Sequence, residues 1–146
     1  LLVLIDYTKP STEKRFYILD LLQKKLLLST YVAHGRGSGD NYAVAFSNRP
    51  GSYQSSLGFF RTGDTYMGKN GYSLFLDGLE KGINDKARER AIVVHGANYA
   101  DPAVLKGQQR LGRSLGCPAL PPDISKQVID TIKGGVLLYI YGLNKA

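Results

Sequence analysis

Leu1-Leu2-Val3-Leu4-Ile5-Asp6-Tyr7, Pro10-Ser11-Thr12 and Arg15-Phe16-Tyr17-Ile18-Leu19 read as strand, turn and strand, and repetition of this unit decides the fold. Both apolar runs have strand length and flank a turn-forming cluster. A third run, Leu26 to Val32, follows Gln23-Lys24-Lys25 so closely that three successive strands are expected. Strand resumes over Tyr42 to Phe46, and Asn48-Arg49-Pro50-Gly51-Ser52 turns the chain again. Gly58 to Thr62, Thr65 to Met67 and Tyr72 to Leu76 continue the pattern, with Lys69-Asn70-Gly71 as a hairpin turn. Ile92-Val93-Val94 reads as a buried strand and Val136 to Tyr141 as the last one.

Helices come late and are short. Asn84 or Asp85 caps a helical turn through Arg88, and Asp101-Pro102 supplies the N-cap and first turn of a helix through Gln109. Pro122-Asp123 opens the best-patterned helix, with Ile124, Val128, Ile129 and Ile132 on one face and Gly134-Gly135 closing it. No repeat or low-complexity linker divides the chain, so residues 1–146 are expected to form a single, mainly β domain with a few short peripheral helices.

A chain of this size can bury a core without disulfides or metals, and its one cysteine excludes an internal disulfide. The net charge of +7 favours anionic partners. Nucleic acid, anionic lipid and peptidoglycan, whose peptide stems carry carboxylates, all meet that condition. The basic residues are dispersed (Lys24, Lys25, Arg36, Arg61, Lys69, Arg88, Arg90, Arg110, Arg113), and the aromatic-rich basic motif of an RNA-binding sheet is missing. Nucleic acid is therefore not the expected partner; the bland alternative is a solvated basic surface. The apolar runs are too short to cross a bilayer. No signal-peptide pattern is visible, and the expectation is a targeting segment outside this sequence.

Ser114-Leu115-Gly116-Cys117-Pro118 contains the only cysteine, downstream of an isolated His95-Gly96. A thiol nucleophile needs a base for its proton and backbone N–H groups for the developing oxyanion. Ile92-Val93-Val94 would deliver His95 to a loop edge. Gly116 admits close backbone approach, and Pro118 has no N–H, so the oxyanion donors must come from Leu115, Gly116 and Cys117. The bland reading of Cys117 is a small buried hydrophobe, and of His95 a hydrogen-bonded strand-end residue. Gly96 offers a carbonyl that can orient the imidazole where no acidic residue is placed to do so.

His34 is the rival base, within His34-Gly35-Arg36-Gly37-Ser38-Gly39. A phosphate cradle would lead into a helix; here strand-like residues follow, so a wide turn is expected. Two histidines, each followed by glycine, and one cysteine match no zinc spacing, so no metal is expected. No carboxylate pair is marked out for glycosidase chemistry. Arg113 can meet a carboxylate in two-point fashion, with a plain surface arginine as the alternative. Asn98, Tyr99 and Arg110 are weaker candidates for lining a substrate groove, and Ser114 either bonds the cysteine loop or simply starts it.

His95-Gly96 followed by Ser114-Leu115-Gly116-Cys117 resembles the signature of the L,D-transpeptidase catalytic domain, a histidine followed after a spacer by Ser/Thr-His-Gly-Cys. Ser55-Ser56-Leu57-Gly58-Phe59-Phe60, Lys69-Asn70-Gly71-Tyr72, Gly82-Ile83-Asn84-Asp85 and Gly112-Arg113-Ser114 are similar to the murein-type branch, and the likeness runs from about Tyr31 to Tyr141. Leu115 stands where the general signature has a second histidine, Pro118 stands next to the usual hydrophobic-Arg pair, and the spacer is slightly long. The resemblance implies a β-sandwich domain acting in the periplasm or cell envelope, without a cofactor, on peptidoglycan peptide stems. It implies attack by Cys117 on the bond between a diamino acid and a terminal D-alanine, with His95 as base and the amides of Leu115, Gly116 and Cys117 around the oxyanion. A second stem as acceptor gives a 3-3 cross-link and water gives L,D-carboxypeptidase trimming. It also implies acylation by carbapenems. The alternatives are a non-catalytic cell-wall binding module with a structural Cys117, and a thiol peptidase or amidase that only hydrolyses murein.

Overall fold

Strict alternation lays down β1 (Leu2–Asp6): Val3 and Ile5 are buried on one face, while Leu2 and Leu4 on the other are partly exposed. The computed structural model describes residues 1–145, so Ala146, the last residue of the expected domain, lies outside it. β1 pairs antiparallel with β2 (Phe16–Asp20), placing Val3 opposite Ile18 and Ile5 opposite Phe16. β2 pairs antiparallel with β3 (Lys25–Thr30). β4 (Gly58–Gly68) and β5 (Gly71–Gly78) form a long hairpin whose turn is Lys69-Asn70. β6 (Val93–Gly96) and the two-residue β7 (Ala119–Leu120) follow, then α1 (Pro122–Ile132) and β8 (Leu137–Tyr141).

These strands make one sheet in the order β3-β2-β1-β8-β4-β5-β6-β7, with β1/β8 and β6/β7 parallel. The sandwich expected from the resemblance is thus a single sheet curled almost shut. Just past β3, the Ala33 amide donates to Ala119 O (2.8 Å), the Ala119 amide donates to Ala33 O (3.3 Å), and Gly35 bridges to Ser114. Val3, Ile5, Phe16, Phe60, Leu74 and Leu138 fill the space the curl encloses.

An isolated helix as short as α1 is marginal in water. Val128, Ile129 and Ile132 are fully buried, at about 1.5–3 kcal/mol each. Packing against β5 and β6 therefore holds the helix, and Ile124 joins the core from its edge. The Thr62 hydroxyl donates to Ile132 O (2.7 Å) and secures its last turn.

Several expected elements differ. Tyr42 to Phe46 is not a strand: the amides of Val44 and Ala45 both donate to Ser38 O (2.8 and 3.2 Å), and Val44 O accepts from Lys145. The wide turn after His34 contains a single 3-10 turn, Arg36–Ser38. The runs 58–62 and 65–67 are one strand with an irregularity between Thr62 and Thr65. Asn84 starts no helix because its side chain is spent elsewhere, donating to Leu57 O and Phe59 O and accepting from the Glu80 amide. Asp101 does cap, accepting the Ala103 amide (2.9 Å), but the 3-10 helix Pro102–Lys106 stops at Gly107, short of Gln109. Among the described residues no helix is long and apolar enough to cross a membrane.

Candidate active site

Alternation along β6 places the site. Ile92 and Val94 join the core, whereas Val93 and His95 face the other way and line a cleft of about 360 Å³ together with Cys117. The β4–β5 hairpin contributes Tyr66, Lys69 and Asn70 to the same cleft; Tyr99, Arg113, Ser114 and Leu115 line it from the chain after β6.

His95 is 3% exposed, and its Nδ1 lies 2.9 Å from Gly96 O. A carbonyl only accepts, so Nδ1 carries the proton and Nε2 keeps its lone pair. Burial pushes the His95 pKa down, which keeps the ring neutral and basic near pH 7. Gly96 is also the one residue type its place allows, because a Cβ there would lie 2.8 Å from Ser125 Cβ.

The Cys117 sulfur accepts the Val93 amide (3.5 Å) and donates its S–H to Ala91 O (3.4 Å). Burial pushes the thiol pKa up; the Val93 N–H and the charges of Arg90 and Lys69 pull it down. The cleft at rest therefore holds a neutral thiol, its S–H turned to Ala91 O, and a neutral imidazole.

The loop carrying Cys117 is braced on both sides. Ser114 is buried, and its hydroxyl donates to Cys117 O (2.6 Å) while accepting the Gly116 amide (3.1 Å). Its own amide donates to His34 O (2.9 Å), and Arg36 N–H donates to Ser114 O (2.8 Å). Gly116 has φ +127°, and a Cβ there would meet Ile92 Cδ1 at 2.9 Å. The Gly116 amide, one of three expected oxyanion donors, is thus already engaged by Ser114. Among the described residues, the amides of Leu115 and Cys117 meet no acceptor.

Arg113 reaches the cleft but also pairs with the exposed Asp40 (3.0 Å). Tyr99 lines the cleft, and burial raises its hydroxyl pKa to about 12. Asn98 and Arg110 are not brought to it: Asn98 is exposed on the 3-10 turn Asn98–Ala100, and Arg110 Nη1 donates to Leu111 O (2.9 Å). His34 is unsuited as a base. It is 1% exposed, its Nδ1 accepts from Arg15 (2.9 Å), and its Nε2 donates to Gly39 O (3.1 Å). Arg90, Lys69, Asn70 and Tyr66 are cleft residues that motif reading missed. The hairpin turn hinted only at Tyr66, Lys69 and Asn70, whose overhang depends on the long β4–β5 pairing; Arg90, in the turn before β6, carried no such signal. Among the described residues no group of three or more His, Cys, Asp or Glu is placed to hold a metal.

A curled sheet carrying a histidine on one strand and a glycine-flanked cysteine on the neighbouring loop defines a class. The chain matches the L,D-transpeptidase catalytic domain over residues 1–141, and it belongs to that family. Among similar solved structures, the Campylobacter jejuni helical cell shape determining protein Pgp2 is 15% identical (TM-score 0.63; 99% of this chain, 48% of that one). The L,D-transpeptidase from Mycobacterium smegmatis is 13% identical (TM-score 0.57; 97% and 58%). The L,D-transpeptidase (Yku) from Stackebrandtia nassauensis is 14% identical (TM-score 0.57; 99% and 56%). At these identities the likeness is one of fold, and the chain spans 48–58% of the length of these three proteins. No curated protein matches the chain significantly.

Proposed function

We propose that this domain is a cysteine acyltransferase acting on peptidoglycan peptide stems in the periplasm or cell envelope. The observation that carries the reading is the pair Cys117 and His95 on one cleft, with Nε2 left as the acceptor by the Nδ1–Gly96 bond. The thiol proton passes to Nε2 as Sγ bonds the carbonyl carbon of the diamino acid at stem position three. The amides of Leu115 and Cys117 receive the oxyanion, each such donor being worth about 3 kcal/mol in the transition state. Collapse breaks the C–N bond, and His95 returns the proton to the departing D-alanine amine. The thioester is then resolved by the side-chain amine of a second stem, giving a 3-3 cross-link, or by water, giving L,D-carboxypeptidase trimming. Arg113 and Tyr99 flank the cleft as substrate contacts; Asn98 and Arg110 are left out of that set.

The test is product analysis on purified disaccharide-tetrapeptide, with intact-mass measurement after exposure to a carbapenem. The expected result is released D-alanine, cross-linked dimers and one inhibitor mass on Cys117, all lost in Cys117→Ala. Turnover by Cys117→Ala overturns the nucleophile. Released D-alanine without cross-linked dimers selects the trimming branch of the same acyl-enzyme, whereas hydrolysis only at other murein bonds points to a thiol peptidase or amidase. Absence of both products and adduct, with normal iodoacetamide labelling, points to a wall-binding module.

A further inference from the structure

Arg90 sits in the turn before β6 and lines the cleft with Cys117, yet among the described residues no carboxylate pairs with it. Nη1 donates to Ser47 O (2.9 Å) and Ser56 Oγ (2.7 Å), and Nη2 donates to Gln54 O (2.8 Å) and Ser52 Oγ (3.2 Å). Four neutral acceptors fix the guanidinium in place without cancelling its charge. Nη2 lies 3.5 Å from where a Cβ on Gly116 would stand, so the cation abuts the residue before the nucleophile.

We propose that Arg90 is an electrostatic positioning residue for Cys117: its fixed, unneutralised guanidinium favours the thiolate that attacks substrate. The inference rests on the reading of Cys117 as nucleophile. It also supplies what the local bonds withhold, since the S–H contact to Ala91 O favours the protonated thiol and burial raises its pKa, whereas the Arg90 charge lowers it.

The other groups facing the sulfur do not replace Arg90. From β6 comes neutral His95; from the β4–β5 hairpin, Tyr66 and Lys69; from the chain after β6, Tyr99 and Arg113. From the residue just past β1 comes Tyr7, whose pKa burial raises to about 12. Arg113 has Asp40 as counter-charge. Lys69 adds in the same direction from the hairpin turn. Among the described residues no Asp or Glu lines the cleft.

The experiment is the pH profile of iodoacetamide alkylation of Cys117 in the whole chain, which needs no turnover and so is independent of the transpeptidation assay. Arg90→Gln is expected to raise the inflection by about one unit and slow alkylation roughly tenfold near pH 7. Arg90→Lys, which keeps the charge, is expected to hold the inflection near that of the parent. A profile that does not move in Arg90→Gln, or moves equally in both variants, overturns the proposal and leaves Arg90 a structural clamp. Should Arg90→Gln fail to fold, Ser52→Asp neutralises the guanidinium with Arg90 retained, at a position that does not line the cleft. The same upward shift is expected there, and an unchanged inflection is equally fatal.

Discussion

The Ser114 hydroxyl is bonded to both neighbours of its own loop, donating to Cys117 O at 2.6 Å and accepting the Gly116 amide at 3.1 Å. It works as an internal staple of the cysteine loop, the first of the two readings its place in the sequence offers. Ser114→Ala leaves a carbonyl and an amide unpaired in a partly buried loop, a loss of about 1–3 kcal/mol. Chemical denaturation is expected to show that loss, and carbapenem acylation of Cys117 to slow with it. Ser114→Thr, which keeps the hydroxyl, is expected to retain acylation. Unchanged stability in Ser114→Ala would remove the staple.

Arg15 and His34 form a buried pair of unusual kind. Arg15 is 0% exposed, donates to Val32 O, Lys9 O and His34 Nδ1, and stacks its guanidinium over the Tyr7 ring. Burial first, and the Arg15 charge second, push the His34 pKa from 6.5 to about 4. The unfolded chain therefore binds a proton near pH 6.5 that the folded chain refuses until about pH 4. Stability supplied by neutral His34 is complete above the unfolded value and is lost as pH falls through this window, by roughly 3 kcal/mol in all. Because His34 O accepts the Ser114 amide, the acid-labile pair lies directly under the cysteine loop. His34→Gln can accept from Arg15 and donate to Gly39 O, so its denaturation midpoint is expected to vary less between pH 6.5 and 4 than that of the parent. An identical slope in both would move the acid sensitivity elsewhere, to His95 first.

How far such features can be read from residues alone depends on the range of the interactions involved. Alternation over Ile92 to His95 is local, so the strand and the end of it that presents the histidine are legible. The turn chemistry around Gly116 and Pro118 is local too. Tyr42 to Phe46 has strand composition, but its backbone partners come from Ser38 and from the far end of the chain, which no local pattern announces. Lys69 enters the site only because a long hairpin overhangs it, and Arg90 is fixed there by acceptors on Ser47, Ser52, Gln54 and Ser56, far away in sequence. Asn98 and Arg110 show the converse: nearness in sequence to His95 and Arg113 does not carry them into the cleft. Asn84 is misread because its amide serves three backbone groups across two turns instead of capping its own.

Arg113 and Asp40 make a testable competition for substrate. The side chains are 27% and 84% exposed, so the pair is worth about 0.2–1 kcal/mol and yields readily to a better carboxylate. Arg113→Ala is expected to raise KM for stems with a free carboxylate more than for amidated stems. Asp40→Asn removes the competitor and is expected to lower KM for the free-carboxylate stems up to about fivefold. Equal effects of Arg113→Ala on both stem types would separate this arginine from substrate recognition.

The tightest steric condition at the base is the contact between Gly96 and α1. A Cβ on Gly96 would lie 2.8 Å from Ser125 Cβ, and α1 cannot retreat because Val128, Ile129 and Ile132 anchor it in the core. Gly96→Ala is therefore expected to cost about 1–3 kcal/mol and to tilt the Gly96 carbonyl that orients His95 Nδ1. Ser125→Gly removes the opposing Cβ, so the double variant is expected to recover most of the stability and the alkylation rate of Cys117. Loss of alkylation in Gly96→Ala without recovery in the double variant would mean that the backbone itself, and not the crowding against α1, sets the imidazole.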